Sequence, residues 1–402
     1  MRRVAVVVAE VAGAGLRFLR AGLALPQTRI GLVTCDPLDR CPPDVRRALA
    51  AYGQVRNVLD STELRAAGRG LATQLGGLDR YFAVQEHVQL PVALARAELG
   101  VPGMAPDAVQ RFRDKARMKE ALRAARVPCA RGRLVQGPGE ARAFAAECGF
   151  PIIAKPPSGA GAADTHRLAD GAALEALLQR CEYPLLLEEF LTGDEFAFDS
   201  VWLDGTMLWH SVSAYLPSCL VVKENPWIQW TVLLPRTIDG PEYDPIRAAG
   251  AAALRALGMG SGMSHLEWFR RPDGGVAIGE AGARPPGAQF TTLLGLAHEI
   301  DFYAAWMRLM IHGEFHAPQR RYAAGAAYLR APGRGRIRGV RGVSEIGHRH
   351  GRMIAEIRLP EAGSEAGDGY EGQGFILLRH AETEAVAHAL ADIVSTIRVD
   401  LA

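Results

Sequence analysis

Between residues 1 and about 110, short apolar runs alternate with stretches of helical period. The runs are Val4–Val8, Arg29–Cys35 and Asp79–Gln85. Strands alternating with amphipathic helices predict a small parallel α/β unit, closed by the turn Val101-Pro102-Gly103. Next, Arg111–Arg126 reads as one charged amphipathic helix, stopped by Val127-Pro128. Over 150–205 two apolar strand segments, Pro151–Ala154 and Leu185–Leu187, flank a glycine-rich loop and a helix. A helix, a hairpin, a Gly/Pro turn and a further helix follow between 245 and 312. The remaining stretch reads mainly as strands, then a helix over Glu382–Ser395 and a last strand, Ile397–Leu401.

The predicted fold class is therefore mixed α/β, with a parallel α/β domain at the N-terminus and a strand-rich one at the C-terminus. Hydrophobic residues at 49% and charged residues at 22% fit an ordinary globular chain. A formal net charge of +2, with no long basic run, gives no electrostatic case for nucleic acid. Glu10 interrupts the apolar run after Met1-Arg2-Arg3, and no charge-free segment is long enough for a bilayer, so a cytoplasmic protein is expected. The six cysteines form no CxxC pair, which reads as reduced thiols. Of 46 Lys and Arg residues only Lys115, Lys119, Lys155 and Lys223 are lysine. A tight phosphate site accepts the slim ammonium more readily than the broad guanidinium fork, though each could equally be a surface residue.

The most informative segment is 263–287. Two apolar strands flank Asp273-Gly274, a dipeptide favoured in two-residue hairpin turns. With that turn, facing residues have numbers summing to 547, so Glu267 lies opposite Glu280 and Met263 opposite Arg284. Two carboxylates about 4 Å apart repel by roughly 4 kcal/mol at an effective dielectric near 20. A shared proton or an intervening cation would relieve this, and Mg²⁺ suits such oxygen ligands. The other reading is a solvated hairpin, against which the apolar neighbours Leu266, Trp268, Phe269 and Ile278 weigh.

Taken in order, these segments resemble the ATP-grasp superfamily over roughly residues 100–320. Arg113-Asp114-Lys115 followed by a helix, the strand ending in Lys155, the loop 158–164, Leu187–Glu195 and the Glu267/Glu280 hairpin are its motifs. The resemblance implies domains at 1–110, 111–320 (with a lid over about 128–195) and 321–402. It implies ATP held by Lys115 and Lys155, by Ser158, Gly159 and Gly161 of the loop, and by Glu188, Glu189, Leu191 and Glu195. Mg²⁺, with Mn²⁺ as the alternative, would sit on Glu267 and Glu280. Lys155, Glu280 and Arg284 would be catalytic. Gly282 stands where many members carry Asn, and the pattern around it is similar to the L-amino-acid ligase branch.

The implied reaction joins a small carboxylate, such as an amino acid, to an amine through an acyl phosphate. Substrate contacts are expected from Lys223 and Trp227 in the polar, aromatic segment 218–230, and from His265, Arg284 and Gly287. A bicarbonate-using relative and a nucleotide sensor without turnover are the rival readings. A homodimer is the default assembly.

Overall fold

The computed structural model describes residues 1–159, 164–225, 228–367 and 371–402. Its N-terminal sheet is fully parallel, in the order Ala51–Gln54, Thr28–Thr34, Arg2–Val7, Arg80–Ala83. The short strand Ala51–Gln54 was not expected, having too few apolar residues to register. Val4–Val8 are fully buried because both faces of the sheet are covered. Val4 and Val6 pack with Phe18 and Trp306, whereas Ala5 and Val7 pack with Leu64 and Leu71.

An eight-stranded antiparallel sheet makes up most of the remainder. It runs Val276–Gly282, Gly262–Arg270, Asp194–Leu203, Thr206–Leu216, Trp230–Leu234, Ala323–Leu329, Gly374–His380, Ile354–Arg358. Ala323–Leu329, Gly374–His380 and Ile354–Arg358 thus share one sheet with the hairpin, whereas Glu365–Ala366, Gly335–Arg341 and Arg398–Leu401 form a separate three-stranded antiparallel sheet. A four-stranded antiparallel sheet, Gly132–Val135, Leu185–Glu189, Ile152–Lys155 and His166–Leu168, is backed by helices Pro138–Cys148 and Gly171–Leu178.

Several elements differ from the sequence expectation. The single helix expected over Arg111–Arg126 is two, Pro106–Arg113 and Lys115–Ala124. Asp114 breaks it, taking an extended backbone and accepting hydrogen bonds from the N–H groups of Ala116 and Arg117 at 2.9 and 3.1 Å. Two helices rather than one follow the hairpin, Phe290–His298 and Phe302–His312. His348 to His350 end the helix Val343–His350, and His350 Nε2 lies 2.7 Å from Asp392. All six cysteines are free thiols. No helix among the described residues is long and apolar enough to cross a membrane.

Candidate active site

A cavity of about 410 Å³ lies where the two larger antiparallel sheets meet, and Lys115, Lys155, Glu188, Glu195, Glu267, Glu280 and Arg284 all line it. The Asp114 break starts a helix at Lys115 and turns that residue inward. Its Nζ lies 2.9 Å from Glu280 Oε1 and donates to the carbonyl of Gly159, also at 2.9 Å. Lys155 ends the strand Ile152–Lys155, beside Leu186 of the neighbouring strand. Its Nζ meets Glu188 Oε2 at 2.8 Å. Burial alone would lower the Lys155 ammonium, but Glu188, Glu280 and Glu267 outweigh it and raise the pKa. Glu188 shows the converse: burial would raise its carboxyl, yet Lys119 and Lys155 hold it below the usual range.

The Glu188 carboxylate, expected to help hold ATP, pairs with Lys155 and lies 3.6 Å from Lys119. Ser158, Gly159, Glu189 and Leu191 also line the cavity. The side chain of Glu189 is turned to Arg131, at 2.9 Å. Gly161 and Trp227 lie outside the described residues.

Glu267 does pair with Glu280, but by a different route from the one expected. The turn is a five-residue loop, Arg271–Gly275, in which Gly274 N–H donates to the Arg271 carbonyl at 2.9 Å and Gly274 has φ 80°. Near it the facing pairs are Arg270–Val276, Phe269–Ala277 and Trp268–Ile278, which sum to 546. Gly279 is then an extra residue, a bulge that restores the sum of 547 at Glu267–Glu280. The pairing of Met263 with Arg284 does not form, because the second strand ends at Gly282.

Burial, followed by repulsion from Glu195 and Glu280, pushes Glu267 up to about 7. Burial likewise pushes Glu195 to about 7, although Cys219 N–H donates to it at 2.8 Å. The nearest potential ligand atoms of Glu195, Cys219 and Glu267 lie within 4.8 Å of one another. The hard oxygens of Glu267 and Glu280, set across one strand pair, suit Mg²⁺, whereas the thiol is a softer donor.

His265 is held by two residues that sequence reasoning missed. Its Nδ1 lies 2.7 Å from Asp199 on the adjacent strand, and its Nε2 lies 3.1 Å from the Tyr215 hydroxyl and 3.9 Å from Glu267. Arg284 turns toward the N-terminal sheet: its Nε donates to Glu86 at 2.8 Å, and Glu86 also pairs with Arg113. Gly287 lines the same end, with Tyr215, Trp230 and Phe290. From segment 218–230 the cavity takes Ser218–Val221, Glu224 and Trp230, but not Lys223.

Such a cavity, between a small antiparallel sheet and a large one with lysines facing carboxylates, is that of the ATP-grasp fold, and this chain has that fold. No protein-family model matches it. It is similar to a structure of L-amino acid ligase from Bacillus licheniformis, with TM-score 0.78 and 17% identity, covering 100% of this chain and 99% of that one. A structure of N5-carboxyaminoimidazole ribonucleotide synthetase from Thermotoga maritima matches with TM-score 0.73 and 17% identity over the whole of both chains. By sequence, it is 23% identical over 248 residues to an L-arginine-specific L-amino acid ligase of Bacillus subtilis. That match covers 60% of this chain and 59% of the relative, so it spans about three fifths of that protein's length.

Proposed function

We propose that this chain is an ATP-dependent carboxylate–amine ligase that makes an amide, with an amino acid as the carboxylate, by way of an acyl phosphate. The observation that carries the reading is the convergence of Lys115, Lys155, Glu267, Glu280 and Arg284 on one cavity. ATP and a carboxylate repel, so several negative charges must be offset before in-line attack. Lys115 and Lys155 hold the phosphates, while Glu195 and the backbone of Glu189 and Leu191 hold the nucleoside. Glu267 and Glu280 hold Mg²⁺, which when bound neutralises phosphate charge and orients the transferred phosphoryl group.

A carboxylate oxygen then attacks the γ-phosphorus and ADP leaves. The amine nitrogen attacks the acyl carbon, phosphate leaves and the nitrogen loses a proton. Arg284 stabilises the oxyanion, and Glu86, itself paired with Arg113, holds the guanidinium in place. The two L-amino acid ligases among the similar proteins support an amino acid as one substrate. The fold and charge support a protein that acts on small molecules without nucleic acid or membrane, with the cytoplasm as its compartment.

The test is release of ADP and phosphate from Mg²⁺-ATP against a matrix of amino acids and small amines. Release is expected only when a carboxylate and an amine are both present, and Glu280→Ala should lower it by at least 100-fold. Release with bicarbonate alone would replace this reading by a carboxylase. Tight ATP binding without turnover under every pairing would replace it by a sensor.

A further inference from the structure

Lys119, the only lysine of the four that no expectation placed, lies one helical turn after Lys115 on Lys115–Ala124 and is 1% exposed. It does not line the cavity, so its ammonium is aimed at the protein. Its ammonium makes two hydrogen bonds and faces one carboxylate oxygen as an ion pair. Nζ donates to the carbonyls of Ile278 at 3.0 Å and Gly279 at 2.7 Å. It also lies 3.6 Å from Glu188 Oε1, whose partner oxygen holds Lys155 at 2.8 Å.

Those acceptors occupy telling positions. Ile278 and Gly279 are the residues at the bulge that brings Glu280 opposite Glu267. The bulge is tight: a Cβ on Gly279 would stand 3.2 Å from the carbonyl oxygen of Glu267 and 3.2 Å from the Phe269 ring. Lys119 therefore grips both walls of the phosphate end. On one side it holds the backbone that aims the carboxylate pair, and on the other the carboxylate that aims Lys155. Burial of the charge is costly and lowers the Lys119 pKa, with Glu188 opposing.

We propose that Lys119 is a positioning residue that fixes the spacing between Lys155 and the Glu267/Glu280 pair, and so sets the affinity for the metal-bound triphosphate without touching it. The proposal rests on the nucleotide site described above.

Two ligands separate this role from a purely structural one. Adenosine reaches only the nucleoside end, whereas MgATP needs both walls of the phosphate end. Lys119→Met retains the side-chain length without the donors, and calorimetry would measure its affinity for each. MgATP affinity is expected to fall at least tenfold while adenosine affinity stays within twofold of wild type. Should Lys119→Met not fold, Lys119→Gln, which still donates to a carbonyl, should show the same split with a smaller loss. Equal weakening of both ligands, or MgATP binding at wild-type strength, overturns the proposal. Wild-type protein that binds no MgATP overturns the nucleotide reading itself, and this proposal with it.

Discussion

His298 shows how burial alone sets a residue's chemistry in this chain. It is 3% exposed, packs edge-on to Trp209 at 5.2 Å between ring centres, and hydrogen-bonds through Nδ1 to the Leu294 carbonyl at 2.7 Å. Burial, then the charge of Arg320, lowers its pKa to about 4. The unfolded chain takes up this proton near pH 6.5 and the folded chain only near 4, so stability is lost as pH falls through that window. Between pH 7 and pH 5 the loss should be on the order of 2 kcal/mol. Replacing His298 by Gln, which can keep the bond to Leu294, should flatten the acid limb. Urea unfolding at pH 7 and pH 5 measures it, and an unchanged difference between the two would rule this histidine out as the source.

Residue identity also marks the limit of what the sequence shows at this scale. Scarcity singled out four lysines, and three of them, Lys115, Lys119 and Lys155, stand at or directly beneath one cavity. The fourth, Lys223, does not line it. Lys119 escaped assignment because its hydrogen bonds go to main-chain carbonyls, which leave no pattern of side chains to read.

Elements carry information of a different kind. The carboxylate pairing was legible because an Asp-Gly turn and two apolar strands restrict the register. Yet the loop is longer than expected by the shift that the Gly279 bulge restores, and only the sum of the two was visible beforehand. Asp114 is an N-cap that the sequence offered openly, since Asp before a helix-forming run is a start signal. Reading through it merged two helices.

The short helix Cys219–Glu224 makes its own prediction. Arg330, 3% exposed, donates to the carbonyls of Val222, Asn225 and Ile228 at 3.0, 3.4 and 2.7 Å. One guanidinium thus holds the cavity wall from which Cys219 N–H reaches Glu195. Arg330→Met removes this donor from the Val222 and Ile228 carbonyls, while Asn225 keeps the Ile228 N–H, and should cost about 2–3 kcal/mol. It should also speed hydrogen exchange of the amides at 219–224 by at least tenfold. Exchange at the wild-type rate would show that the wall stands without the arginine.

On the scale of the whole molecule, the site draws on parts far apart in the chain. Glu86, from the N-terminal unit, bonds Arg284 across 198 positions and pairs with Arg113 as well. Burial would raise its carboxyl, but the two arginines hold it below its usual value. Glu86→Gln keeps the shape but strips the charge that both guanidinium groups face, so it should destabilise the protein by about 3 kcal/mol. Under the proposed ligase function it should also slow ADP release at least tenfold, as Arg284 loses its orientation. Full activity in a variant of reduced stability would confine Glu86 to a structural role.

The sequence by itself determined the alternation of strands and helices, the order of the motifs that line the cavity and the facing carboxylates. These are local patterns, set by turn chemistry, side-chain period and spacing along the chain. Only the tertiary structure decided what balances the charges: Glu86 on Arg284, Glu188 between two lysines, Arg330 on the wall and Lys119 beneath the bulge. Buried charges need partners wherever the fold can supply them. Long-range approach supplies them here, often with main-chain oxygen as the acceptor, and neither leaves a signature in the order of residues.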